Sequence, residues 1–398
     1  PAANLDHRQV LQRQPAVADV AGSFLPAGSG WHPLPPGHFA YRLRLRLPPG
    51  QKGVAPGNLA AEFDDAGGYR AEYRFPQPAE GLDLMAGPYR VAERTLKLAG
   101  GRQIRLRTWF HGDLEDLAAG YLKDSARYIE RYSRLIGDYP FSMFSVVSSP
   151  TPTGFGMPGL TYLGRQVLRL PFIRGSSLGH EVLHNWWGNG VYPDWSTGNW
   201  SEGLTTFMAD YAYKEEEGEV AAREMRLGWL RDLAAVPPGS DTSLRQFTSR
   251  RHGAASIVGY GKSAMVFLML RDRIGRPAFE EGLRSFWQEY RFRSAGWNDL
   301  ERVFSRAAGQ PLEDFFHQWV DRPGAPALGI ASAQQQGHRL HLALKGSDGY
   351  GLRLPLRLTG GGKSLEATAM LPGGADQLTL TIEGEPTEVT VDPDYRLW

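Results

Sequence analysis

The 398-residue chain contains no cysteine. Disulfides, iron–sulfur clusters and thiolate zinc sites are therefore excluded, and any bound transition metal must be held by histidine and carboxylate. The chain also lacks a charge excess: 44 Lys and Arg stand against 43 Asp and Glu, for a formal net charge of +1. Without a basic excess there is no argument for nucleic acid, and without a polybasic cluster there is none for a membrane surface. No apolar run approaches the ~18 residues that span a bilayer, and the stretch 264–270 is far too short. No internal repeat is visible. The chain begins at Pro1 with neither a methionine nor a signal segment. A processed, exported enzyme of the periplasm or exterior is expected to begin this way, as is a trimmed chain, and a cytoplasmic origin stays open.

What is present is ordinary globular material, 41% hydrophobic and 22% charged. The length suggests two or three domains. Against this background one stretch stands out: Gly179-His180-Glu181-Val182-Leu183-His184-Asn185-Trp186-Trp187-Gly188-Asn189. It reads H-E-x-x-H, the zinc-hydrolase signature. Residues i and i+4 share a helix face, so His180 and His184 point two imidazoles at one ion. Glu181 sits about 100° round the helix, within reach of a water at the ion but off the ligand stripe. Ser176 or Ser177 is expected to cap the start of this helix, and Gly188 or Gly190 to end it. A catalytic zinc normally takes three protein ligands. Glu202, 18 positions after His184, is available as the third, once the chain has turned through Pro193 and Gly198 into a second helix. One Zn2+ is the expected cofactor.

The rest of the pattern is α+β. Residues 1–22 are a polar, alanine-rich lead-in, and 23–110 alternate with period two, as in Tyr41-Arg42-Leu43-Arg44-Leu45-Arg46-Leu47 and Ile104-Arg105-Leu106-Arg107. That predicts a β domain with the arginines on the wet face. A helix follows, with Leu117, Tyr121, Tyr128, Tyr132 and Leu135 on its core face and Gly137 and Pro140 at its end. Strands are expected at 144–147 and 160–163, with a glycine-rich turn at 153–159 between them. The run 167–172 is expected to join the same sheet. After Glu202 the chain reads as mostly helical to about Val320, with breaks at 237–239, Gly275, Gly296 and Gly309. From 328 the period returns to two, predicting a small antiparallel sandwich. His338 and His341 are too far out of phase on a strand to share a metal. His252, beside Arg250 and Arg251, reads as part of a solvated loop. Trp186, Trp187, Trp195 and Trp200 flank the signature and read mostly as packing.

Water attacking a carbonyl builds negative charge on its oxygen, and a donor aimed there is worth about 10²–10³ in rate. Tyr260, at the first turn of a helix opening at Gly259-Tyr260-Gly261-Lys262-Ser263-Ala264, offers one. At this point the chain resembles the aminopeptidase N family of gluzincin zinc metallopeptidases, which includes leukotriene hydrolase. That family carries H-E-x-x-H, then W-x-G-N, N-E-G and Y-E-K-G-A. Here stand His180-Glu181-Val182-Leu183-His184, Trp186-Trp187-Gly188-Asn189, Ser201-Glu202-Gly203 and Tyr260-Gly261-Lys262-Ser263-Ala264. Trp31-His32-Pro33 is similar to the family's W-Y-P, and Phe315-Phe316-His317-Gln318-Trp319 with Arg322-Pro323-Gly324-Ala325-Pro326 is similar to the close of its catalytic domain. The order holds over about 24–330. The resemblance implies an N-terminal β domain at 23–110, a thermolysin-like catalytic domain at 111–325 and a C-terminal β sandwich at 326–398. It implies His180, His184 and Glu202 as zinc ligands, Glu181 as general base and Tyr260 as oxyanion donor.

Three departures from the family pattern matter. The interval between His184 and Glu202 is one residue shorter than the family's. The acidic residue expected seven after Glu202 is replaced by Ala209, with Asp210 one place on, either orienting a ligand or lying at the surface. The family's exopeptidase loop G-x-M-E-N, whose glutamate holds the substrate's free amino group, is matched by Gly156-Met157-Pro158. Proline stands where the glutamate should be, although the loop backbone can still pair with an extended peptide. The expected function is peptide hydrolysis by an aminopeptidase-family enzyme with altered recognition of the substrate's N-terminus. The alternatives are an endopeptidase of the same fold and a degenerate scaffold that binds peptides or a partner protein.

Overall fold

The computed structural model describes residues 16–152, 154–237, 239–248 and 257–398. Most of the lead-in, Thr153, Pro238 and the Arg250-Arg251-His252 cluster lie outside the described residues. The chain forms two compact units: Pro1–Tyr192 with Trp287–Ser294, and Pro193–Phe286 with Ala295–Trp398.

In the first unit a three-stranded antiparallel sheet runs Phe39–Leu47, Gly68–Ala79, Asn58–Asp65. Arg42, Arg44 and Arg46 are exposed on it, as the alternation predicts. A four-stranded sheet lies in the order Val17–Asp19, Gly22–Leu25, Leu84–Gly87, Lys52–Val54. A five-stranded sheet has the order Gly154–Met157, Leu160–Gly164, Met143–Ser149, Gln103–Phe110, Arg90–Lys97. Strand Met143–Ser149 pairs in parallel with both of its neighbours and is buried along its whole length. Parallel strands need a long crossover, and the helix Ala118–Leu135 supplies it between 103–110 and 143–149, burying Tyr121, Tyr128 and Tyr132. Residues 90–110 thus share one sheet with 143–164.

Two expectations fail here. The glycine-rich stretch 153–159 is not all turn, because Gly154–Met157 is an edge strand paired antiparallel with Leu160–Gly164. Its Phe155 stacks on Phe24, with ring centroids 5.8 Å apart, and that packing outweighs the weak strand preference of its glycines. The run 167–172 does not join the sheet. Val167–Arg169 is a single 3₁₀ turn, tied down where Tyr121 donates to the Leu168 carbonyl at 2.8 Å, and Pro171 has no N–H to give a ladder.

Arg107 is a third correction. It belongs to the predicted wet face but is 8% exposed. Strand Gln103–Phe110 lies inside the sheet, and from Arg107 onward both of its faces are covered. The guanidinium reaches Glu62 Oε2 at 2.7 Å and Oε1 at 3.1 Å, and Glu93 Oε2 at 2.7 Å. It also lies 5.0 Å from the Trp109 ring centroid.

The second unit contains the helices Ser201–Thr206, Ala212–Glu217, Glu219–Ala234, Ser263–Ile274 and Trp297–Ala308. Ser263–Leu270 is buried throughout. The C-terminal part is the predicted sandwich. Its two three-stranded sheets are Gly329–Gln336, Arg339–Lys345, Gln377–Thr381 and Lys363–Leu371, Leu352–Gly360, Glu388–Val391. Leu340, Leu342, Leu356, Leu358 and Ala369 fill the space between them.

Removing the guanidinium leaves two partly buried carboxylates facing each other. Arg107→Gln should lower the unfolding free energy by about 2 kcal/mol, less than for a fully buried pair because both glutamates touch solvent. Burial alone would push the Glu62 carboxyl up, but Arg107 outweighs it and holds the group below its ordinary 4.5. A depressed carboxyl contributes stability above its unfolded value and loses it as pH falls through its folded one. In urea titrations the gap between wild type and variant should therefore shrink as pH falls below about 4.5.

Candidate functional site

The signature lies on a short helix, Leu178–Leu183, with His184 still helical at its C-terminal end. One face is apolar. Leu178, Val182 and Leu183 are fully buried, and Trp186 and Trp187 continue the seam. Trp186 packs edge-on against Tyr132 and Tyr139 at 5.8 and 5.4 Å, and its Nε1 donates to the Gly137 carbonyl at 3.0 Å. The opposite face carries His180, Glu181 and His184, all half-buried. The expected serine cap is absent. Ser177 makes no capping bond, and Ser176 donates to the Phe172 carbonyl at 3.0 Å. The reason is local: the wide turn Ile173–Ser177 runs straight into the helix, so its first amides already have carbonyl partners.

The two imidazoles meet. Nε2 of His180 and Nε2 of His184 are 3.2 Å apart, and the rings cross at 74°. Two nitrogens held at about 2.0–2.1 Å by one tetrahedral ion stand roughly 3.3 Å apart, so this spacing fits a shared metal. Nδ1 of His184 lies 2.9 Å from the Trp187 carbonyl. A carbonyl only accepts, so the proton sits on Nδ1 and the Nε2 lone pair is left for a metal.

The edge strand Gly154–Met157 runs beside this face. A Cβ on Gly156 would lie 2.6 Å from Glu181 Oε2 and 3.8 Å from the His184 Cβ. A side chain there would push the Glu181 carboxylate aside, and that carboxylate lies directly against the edge-strand backbone. Asn185, fully buried, holds the two together. Its Oδ1 accepts from the Gly159 N–H at 2.8 Å and its Nδ2 donates to the Val182 carbonyl at 2.9 Å. Gly159 has φ +70° and, if given a Cβ, would press on the Met143 carbonyl at 3.0 Å, so the turn through Met157 and Pro158 is tightly determined. Sequence reasoning passed over Asn185; its one signal was a lone amide on the apolar side of the signature helix.

Glu202 and Tyr260 lie in the second unit. Glu202 is in the first turn of Ser201–Thr206. Asn199 Oδ1 caps that helix, accepting from the Ser201 N–H at 3.0 Å and from its hydroxyl at 2.6 Å. Trp200 anchors it through Nε1 to the Ala295 carbonyl at 2.7 Å. Gly203 is required because a Cβ there would overlap Ser263. Tyr260 sits in the wide turn Ile257–Lys262 ahead of Ser263–Ile274, its ring edge-on to Phe247 at 6.1 Å. Lys262 is fully buried and donates to the Arg322 carbonyl at 2.7 Å, and burial pulls its amine down to about 8. Asp210 is half-buried in the turn Phe207–Tyr211. Of the four flanking tryptophans, Trp195 alone is exposed.

A histidine pair on a helix, a carboxylate beside it and an edge strand along the same face are the arrangement that the resemblance to the gluzincins leads one to expect. Residues 176–319 match the peptidase family M1 domain, and the chain is similar to aminopeptidases N. It is 26% identical over 218 residues to aminopeptidase M1-B of Oryza sativa subsp. japonica, covering 52% of this chain and 24% of that protein. It is 23% identical over 280 residues to aminopeptidase N of Escherichia coli K12, covering 64% and 31%. The chain thus spans less than a third of the length of these curated relatives. Its fold is that of aminopeptidase A of Legionella pneumophila, whose structure was solved with aspartic acid bound (TM-score 0.74, 17% identity, 96% of this chain and 48% of that one). A mutant M1 zinc metallopeptidase from Deinococcus radiodurans shares it too (TM-score 0.62, 21% identity, 78% and 72%). Among the described residues no helix is long and apolar enough to cross a membrane.

Asn185→Ala would orphan the buried Gly159 N–H, at a cost of about 1–3 kcal/mol. Hydrogen exchange should show the Gly159 amide losing protection while the Trp186 environment, followed by fluorescence, is retained.

Proposed function

We propose that this chain hydrolyses peptide bonds as a zinc-dependent, aminopeptidase N-like peptidase whose recognition of the substrate's N-terminus is altered. The observation that carries the reading is the 3.2 Å spacing of the two Nε2 atoms on the signature helix, beside a carboxylate that abuts an edge strand. His180 Nε2, His184 Nε2 and the Glu202 carboxylate would hold one Zn2+; two imidazoles and one carboxylate are a donor set suited to it. When bound, the ion supplies Lewis acidity, lowering the pKa of a coordinated water and polarising the scissile carbonyl.

The chain's own groups do the rest. An extended peptide laid along Gly154–Met157 gains main-chain hydrogen bonds, and Gly156, Met157 and Pro158 line its path. Glu181 takes the proton of the attacking water and passes it to the leaving amine. The Tyr260 hydroxyl donates to the oxygen on which charge builds.

One observation favours a second reading. Pro158 has no carboxylate to anchor a free amino group, which suits an endopeptidase as well as an aminopeptidase.

Glu181→Gln and Tyr260→Phe should each keep stoichiometric zinc by metal analysis while turnover of a fluorogenic peptide falls on the order of 10²-fold or more. Undiminished turnover in either variant sinks the assigned roles, and bound zinc without turnover of any peptide by the wild type leaves a binding scaffold. Free and N-acetylated forms of one peptide separate the two readings. An aminopeptidase rejects the blocked form, and an endopeptidase cleaves both at similar rates.

A further inference from the structure

A cavity of about 750 Å³ opens within the second unit between the helical segments around 269–273 and 310–322 and the sandwich strands Leu352–Gly360 and Lys363–Leu371. That size lies within the range of small-molecule sites, about 300–1,000 Å³. Its floor is apolar: Phe315 and Trp319 are nearly fully buried, as are Leu352 and Leu371. Met370, on the wall, keeps 65% of its surface exposed and so offers apolar area to a ligand.

The walls are cationic. Arg273, Arg322, Arg353 and Arg396 line the cavity, against Asp272 and Asp314. Arg396 is already matched, gripping Asp272 through two bonds of 2.8 and 2.7 Å. The other three arginines face no carboxylate within 4.0 Å among the described residues. Arg273 lies over the Phe315 ring, 5.7 Å from its centroid. Arg322 lies over Tyr350 at 4.0 Å and donates to the Asp348 carbonyl. Arg353 donates to the Asp272 carbonyl at 2.7 Å. Rings and neutral carbonyls leave most of the guanidinium donors of each unspent. Nothing in the proposed peptide hydrolysis uses this cavity.

We propose that the cavity is a binding site for a free amphipathic carboxylate, its apolar body seated on Phe315, Trp319 and Met370 and its anionic head taken by Arg273 and Arg353. A bare inorganic anion leaves the floor wet, and an amphipathic cation meets the excess positive charge; only an anion with an apolar tail satisfies both halves of the wall.

Isothermal titration of the whole chain with octanoate, n-octylamine and inorganic phosphate tests this. Octanoate should bind saturably at one site, and the other two probes should bind at least about tenfold more weakly. Arg273→Gln and Arg353→Gln, both at exposed side chains, should each weaken octanoate about tenfold with an unchanged circular dichroism spectrum. Met370→Glu, which places a like charge beside the tail, should do the same and stands as a second route if an arginine variant misfolds. Absence of saturable octanoate binding, phosphate binding as tightly, or octanoate affinity unchanged in the Arg273→Gln/Arg353→Gln double variant overturns the proposal.

Discussion

The bond on which the candidate site depends is the one from Nδ1 of His184 to the Trp187 carbonyl. It fixes a tautomer and a ring orientation together, and so decides which nitrogen has a lone pair and where that lone pair points. The carbonyl is itself fixed because Trp187 is fully buried against Trp287, with ring centroids 6.2 Å apart. The chain of cause therefore runs from an aromatic core, through one turn of backbone, to the face of an imidazole. Ordinary packing sets the precision of the ligand geometry, which is why a six-residue helix can carry it.

The same helix is tied to the sheet by Asn185. A buried amide that satisfies one N–H on a turn and one carbonyl on its own helix makes the two elements move as one body. Glu181 and the backbone of Gly154–Met157 are thereby held at a constant separation, and Gly156 is the residue that allows it to be so small. In the second unit Gly203 plays a comparable part, leaving room for the Ser263 side chain where Ser201–Thr206 lies against Ser263–Ile274.

Much of this was legible in the sequence, for identifiable reasons. The signature pair depends only on helical period, so His180 and His184 could be read directly. Glu202 and Tyr260 are carried by short motifs in the right order. The C-terminal sandwich was legible because its alternation is unbroken over several strands. What could not be read depends on tertiary context. Arg107 obeys the alternation rule and is buried anyway, because a neighbouring strand and sheet cover its face. Strand Gly154–Met157 was masked by its two glycines, of which Gly156 serves close approach to Glu181 and not turning. The run 167–172 is apolar enough for a strand, and only Pro171 and the Tyr121 anchor exclude it. Asn185 has meaning only once the turn at Gly159 is seen beside it.

Pro158 carries a consequence beyond the carboxylate it displaces. Its ring nitrogen bears no hydrogen, so the donor series along the edge breaks off at that residue. On the proposed function, a guest strand laid on Gly154–Met157 would meet a blank rung just past Met157, and where the rungs stop would then help to set its alignment. Replacing an anchor by a terminus would turn a lock on one end of such a guest into a ruler along its length.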